Sequence, residues 1–178
     1  RGIIPLVPGD LKPDYVDEIE AMGGQVIQLA PGRGHLNVLD PGEISAIADR
    51  LPPDIREKLL VDAHTRKLQL LLALISILRK GHVTPNEENI LDKALVLLET
   101  EHEGVPVVQD LLDVIVSRPQ ALQDIALDRG DPDRYKDATD ALVASLMSLN
   151  GQGRFGDMFS KPTSAALRMD RPAVFDVS

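Results

Sequence analysis

The chain has 178 residues, 43% of them hydrophobic, with 3% aromatics, no cysteine and a formal net charge of -9. That apolar content suits one domain, or a small domain plus part of another, with a real core, so a disordered chain is excluded. The absence of cysteine excludes disulfides, thiolate metal sites and cysteine nucleophiles, and the acidic, aromatic-poor composition argues against a direct nucleic-acid grip by stacking or phosphate neutralisation.

The sequence starts on Arg1, shows no signal-peptide pattern and closes on the strand-like "RPAVFDVS", which predicts a central piece of a longer protein. Gly2 to Val7 is a short apolar run bounded by Gly and Pro, as in a buried strand. Pro13 stands where a first helical turn begins, and Tyr15, Val16, Ile19, Ala21 and Met22 follow at helical spacing until Gly23-Gly24. "QVIQLA" from Gln25 is the second strand, so strand, helix and strand form a βαβ unit of a parallel sheet.

From Pro41 to Leu149 the pattern turns helical. Asp40 can cap a helix with Pro41 at its first position, running to about Asp49, and Pro52-Pro53 ends it. A long helix is predicted from Pro53 to Lys80, closed by Arg79, Lys80 and a C-terminal Gly81. Its apolar run Leu68–Leu78 has 11 residues, against roughly 20 for a membrane span, and so reads as a core helix. "TPNE" at Thr84–Glu87 is a capping box with Pro at the first helical position, and Ile90, Leu91, Ala94, Leu95 and Leu98 continue it. Further helices are predicted from Pro106 to Val116, from Pro119, capped by Ser117, to Leu127, and from Pro132, capped by Asp131, to Leu149. The tail from Gly151 is loop-like until "AVFDVS" from Ala173, a third strand.

The resulting fold is an α/β fragment with a dominant all-α insertion of about five to six helices. Residues 1–40 form a sheet edge, 41–150 the inserted helical domain, and 151–178 a loop and a returning strand.

Little of the chemistry is local. Gly151, Gly153 and Gly156 spell Gly-x-Gly-x-x-Gly, but after a helix and before a loop, the wrong context for a dinucleotide site, so a flexible linker is expected. No Gly-x-x-x-x-Gly-Lys-[Ser/Thr] occurs, so no cofactor-binding residue is assigned and the chain alone is not expected to hydrolyse ATP. His35, His64, His82 and His102 lack metal-ligand spacing and no metal ligand is assigned; "EHE" at Glu101–Glu103 reads as an acidic helix end. The acidic cluster Asp10, Asp14, Asp17 and Glu18 follows a strand end, where open α/β sheets place their chemistry, although spacing alone favours aspartate capping of a helix whose first turn welcomes acids.

Residues 10–42 carry more than local pattern. Asp10, Lys12, Asp14 and Tyr15, then Gly23-Gly24, "QVIQLAPG" and "NVLDPG" from Asn37, keep a fixed spacing; "GDMFSKPTS" and "AVFDVS" lie beyond the helices. This arrangement resembles the large conjugative-transfer ATPases of type IV secretion systems (VirB/TraC-like), members of the FtsK/HerA motor superfamily. In that family a strand ends in Asp-x-[Glu/Lys]-Gly-[Glu/Asp]-Tyr, an all-α domain follows Asn-Pro-Leu-Asp, and the chain returns through a Phe-x-x-Pro-Thr phrase. Here Pro13 replaces the usual Gly, Asp14 the usual Glu, and Val38 the usual Pro.

The resemblance implies a partial RecA-like sheet and a central segment of a hexameric motor coupling ATP hydrolysis to DNA or protein transfer. It implies ATP and Mg as cofactors of the full-length protein, and Asp14, with Asp10 beside it, as the group that activates the attacking water. The implied partners are neighbouring subunits, channel or coupling proteins and DNA or protein cargo, at the cytoplasmic face of the inner membrane. The alternatives are a stand-alone helical interaction module without enzymatic role, and part of an FtsK-like DNA translocase.

Overall fold

The computed structural model describes residues 6–10, 15–28, 35–40, 44–151, 155–161, 163 and 173–176. In chain order the elements are β1 (Leu6–Asp10), α1 (Val16–Ala21), β2 (Gln25–Gln28), α2 (Ile44–Ala48), α3 (Pro53–Arg79) and α4 (Pro85–Glu101). They continue with α5 (Val108–Val116), α6 (Gln120–Ala126), α7 (Pro132–Leu149), α8 (Gly156–Phe159) and β3 (Ala173–Asp176). The molecule is a helical bundle joined to a short parallel sheet. Among the described residues no helix is long and apolar enough to cross a membrane.

The bundle is built around α4. Its capping box forms as the sequence predicts: the Thr84 hydroxyl accepts from the Glu87 N–H and the Glu87 carboxylate accepts from the Thr84 N–H. Ile90, Leu91, Ala94, Leu95 and Leu98 are buried along one side of α4, and Leu71 and Ile75 of α3, Leu111 and Ile115 of α5, Leu122 of α6 and Leu142 and Leu146 of α7 complete the cluster. Each fully buried Leu or Ile removes enough apolar surface from water to contribute about 1.5–3 kcal/mol.

Arg79, at the end of α3, joins three helices. Its Nη2 donates to Glu87 Oε1 at 2.7 Å, and its Nε to Ser145 Oγ on α7 at 2.6 Å. A second lock closes the far end. Arg118 donates through Nε and Nη2 to Asp128 Oδ2 at 3.0 and 2.7 Å, and Gly130 N–H donates to Asp128 Oδ1 at 2.8 Å. The guanidinium also lies 5.8 Å from the centre of the Tyr135 ring, whose hydroxyl donates to the Ile115 carbonyl. Burial pushes the Tyr135 phenol up to about 12.

Four local expectations are corrected. The left-handed residue closing α3 is Lys80 (φ 52°), one position before Gly81, and the Gly81 N–H then reaches the Ser76 carbonyl. Ser117 does not cap α6: its hydroxyl donates back to the Val114 carbonyl of α5, and α6 starts after Pro119 without a side-chain cap. The first strand is Leu6–Asp10, extending past Val7, so Asp10 is its last residue; residues 1–5 lie outside the described residues. The tail after Gly151 is not all loop, because α8 folds there and buries Met158 and Phe159 in the bundle core.

The sheet is parallel in the order β1-β3-β2, so the returning strand sits between the two strands of the predicted βαβ unit. Parallel neighbours require a crossover, and here the crossover between β2 and β3 is the entire bundle.

Glu87 supplies a test of the bundle. Burial alone would raise its carboxyl, but the bonds from Arg79 and Thr84 outweigh this and hold it below the ordinary 4.5. Its contribution to stability is therefore complete above pH 4.5 and lost as pH falls through the lower folded value. Glu87→Gln is expected to cost about 2 kcal/mol near neutral pH, the scale of a lost hydrogen bond to a charged group. Urea titrations at several pH values should show that deficit shrinking below pH 4.5.

Candidate functional site

The "NVLD" stretch leaves the sheet and enters the bundle with Leu36, Asn37, Val38 and Leu39 all buried, the asparagine only 3% exposed. A buried carboxamide must find partners, since each polar atom left without one costs about 1–3 kcal/mol. Asn37 finds them in three directions. Its Nδ2 donates to the Pro106 carbonyl, between α4 and α5, at 2.8 Å. Its Oδ1 accepts from the Leu39 N–H at 3.0 Å, which folds the stretch into a turn closed by the Asp40 N–H on the Asn37 carbonyl. Its own N–H donates to the Thr163 hydroxyl oxygen at 3.0 Å.

Thr163 belongs to the "KPT" phrase of the returning tail. The Leu36 N–H adds a second bond to that tail, on the Met158 carbonyl of α8, at 2.7 Å. The point where the chain enters the bundle is thus clasped to the point where it leaves it. Gly156, the first residue of α8, is held close by the same packing: a Cβ built there would lie 1.9 Å from the Gly151 carbonyl oxygen. Gly156 itself is therefore no spacer, because close backbone approach requires a residue without a Cβ there; the flexible-linker expectation for residues 152–154 falls outside the described residues. Gly153 lies outside the described residues.

The clasp fixes the entry and the exit of the bundle relative to each other. Within the sheet, Asp10 of β1 pairs in register with Asp176 of β3, and Asp176 with Gln28 of β2. These three residues stand side by side at the carboxyl-terminal edge of the parallel strands, the edge at which open α/β sheets build their sites. Asp10 is thus placed at the edge the sequence predicts. Asp14 and Lys12 lie outside the described residues. Asp176 was not among the predicted site residues; "VFD" spells it, but only the β1-β3 pairing puts it beside Asp10.

The histidines have separate roles. His64 of α3 lies between Asp92 and Glu99 of α4, and His102, at the end of α4, is 3.3 Å from Asp110 through Nε2 while its Nδ1 is buried without a hydrogen-bond partner. Among the described residues no group of three or more His, Asp or Glu side chains is arranged to hold a metal ion.

No protein-family model matches the chain, and no curated protein matches it. Its fold is similar to that of a solved structure, VirB4 of Thermoanaerobacter pseudethanolicus, with a TM-score of 0.50 and 22% sequence identity. The match covers 98% of this chain and 59% of the VirB4 chain, so the likeness takes in sheet and bundle together and spans well under two thirds of that protein.

Asn37→Ala leaves the Pro106 carbonyl, the Leu39 N–H and a small cavity without a partner. It is expected to cost about 2 kcal/mol, or a fall in melting temperature of roughly 4–8 °C for a chain of this size. Thermal unfolding followed by circular dichroism checks this, and Thr163→Val, which removes one acceptor only, should show a smaller fall.

Proposed function

We propose that the chain is the central segment of a type IV secretion or conjugation motor ATPase, carrying part of a RecA-like sheet (residues 1–40), an inserted helical domain (41–150) and the return to the sheet (151–178). The observation that carries this reading is the Asn37–Thr163 bond. It joins the two phrases, "NVLD" and "KPT", by which the sequence resembles that family on either side of its helical domain. The likeness of fold to VirB4 runs through the same sheet-and-bundle arrangement and supports it.

The residues of this chain do not by themselves make a site for ATP and Mg, because no phosphate-cradling Gly-x-x-x-x-Gly-Lys-[Ser/Thr] stretch is present. The chain's own contribution lies at the carboxyl-terminal strand edge. Asp10 is the last residue of β1, and Asp14, four residues on, is the proposed acid-base group of the full-length protein. The clasp sets the entry and the exit of the helical domain side by side through a buried amide, so that displacement of the domain would carry both together. In this reading the domain serves as an interaction module toward neighbouring subunits, channel components or cargo in a cytoplasmic assembly.

Steady-state ATP turnover of the full-length protein tests the reading. Asp14→Ala is expected to lower kcat about 100-fold or more, the usual contribution of a positioned acid-base group, with little change in KM. Wild-type turnover in the variant would remove the catalytic role of Asp14. A full-length protein with no ATP turnover at all would favour the helical interaction module.

A further inference from the structure

α3 has 27 residues and runs well past the bundle it helps to build. Its carboxyl-terminal half is sealed by Leu71, Leu74 and Ile75, whereas toward its amino terminus Ile55, Leu60 and Val61 are exposed. That half carries α2, packed on it and tied by the Arg56–Asp49 ion pair at 3.2 Å. It is therefore an arm, leading from the Asn37–Asp40 turn into the bundle, with little apolar burial of its own.

What holds the arm to α4 is polar. His64 Nδ1 lies 2.7 Å from Glu99 Oε2, and His64 Nε2 lies 2.8 Å from Asp92 Oδ1. Carboxylates only accept hydrogen bonds, so both ring nitrogens must carry protons, which only the imidazolium form allows. Lys67, one turn along α3, donates to the other Glu99 oxygen at 2.7 Å. The facing charges are thus Asp92 and Glu99 from α4, with Lys67 from α3 across Glu99: two cations on two anions when His64 is protonated. Deprotonation leaves the cluster with one negative charge in excess and turns one ring N–H into an acceptor aimed at a carboxylate. Glu99 keeps Lys67, so the bond to Asp92 is the one without a substitute.

We propose that His64 is a protonation-dependent clamp that holds the amino-terminal arm of α3, and α2 with it, against α4. Burial alone would lower the His64 pKa, but the bonds to Asp92 and Glu99 outweigh it and raise it above the ordinary 6.5. A raised folded value means that the clamp contributes fully below pH 6.5 and is lost as pH rises through the folded value. The arm is then the part of the helical domain whose attachment responds to pH through His64.

The test combines ring-nitrogen NMR of His64 with amide-exchange protection across residues 53–63 in the 178-residue chain. Below pH 6.5 both ring nitrogens should show the protonated signature. On raising the pH through the measured pKa, arm protection factors should fall about tenfold for each pH unit separating the His64 pKa from that of a free histidine. Protection in α5–α7 should stay constant. His64→Gln should make arm protection independent of pH, and Asp92→Asn, at a half-exposed position that leaves the core intact, should lower the His64 pKa and shrink the effect. A neutral tautomer at pH 6, an unchanged pKa in Asp92→Asn, or a loss of protection shared equally by α5–α7 would overturn the proposal.

Discussion

One buried carboxamide ties the bundle's entry to its exit. Asn37 stands where a chain of short parallel strands becomes a helical bundle, and its amide and backbone satisfy groups from the exit turn, the α4–α5 junction and the returning tail together. No apolar side chain could replace it, since the Pro106 carbonyl and the Leu39 N–H would be left buried without partners. Hydrophobic packing supplies most of the favourable free energy of the bundle, but it is nondirectional. The clasp supplies direction, setting the tail at Thr163 beside the entry at Asn37.

The same division between packing and direction recurs inside the bundle. The turn after α5 and the turn after α6 contain Arg118, Leu127 and Arg129, all at positive φ, a conformation that costs a non-glycine residue about 1–2 kcal/mol. The buried Asp128 carboxylate, bonded to Arg118 and Gly130, offsets that strain by giving both turns one shared partner. Arg118 and Gly130 in turn hold the carboxyl below its usual range despite its burial, so it stays charged and bonded across the neutral range.

The elements most legible in the sequence are those whose signals are local. Thr84-Pro85 and Asp131-Pro132 start helices where their cap and proline chemistry says they should, and the Asp131 carboxylate accepts from the Asp133 N–H. Where two local signals compete the reading slips: Ser117 could cap α6 or close α5, and it closes α5 because its hydroxyl reaches the Val114 carbonyl first. Long-range pairing leaves no local mark. The order β1-β3-β2 depends on a strand returning after the whole bundle, and Asp176 becomes a neighbour of Asp10 only through it. Asn37 was visible as part of a phrase, but its partners Pro106 and Thr163 lie 69 and 126 residues away, beyond any periodicity.

Charge is the exception, a long-range property that can be read from sequence once the fold shows what it is for. Residues 44–80 carry seven Lys and Arg against four Asp and Glu, whereas residues 81–150 carry five against fourteen. The net charge of -9 is therefore not a uniform coating. In every α3–α4 pair described, the basic partner comes from α3 and the anion from α4: Arg79 with Glu87, His64 with Asp92 and Glu99, Lys67 with Glu99. Exposed ion pairs contribute little to stability individually. A cationic helix beside an anionic one nevertheless penalises alternatives in which α4 packs at that face against another acidic helix such as α5, since like charges would then meet. Leu and Ile residues of similar size allow several helix pairings of nearly equal energy. The separation of charge between α3 and α4 selects one, the antiparallel pairing that sets Arg79 against the start of α4 and His64 against its end.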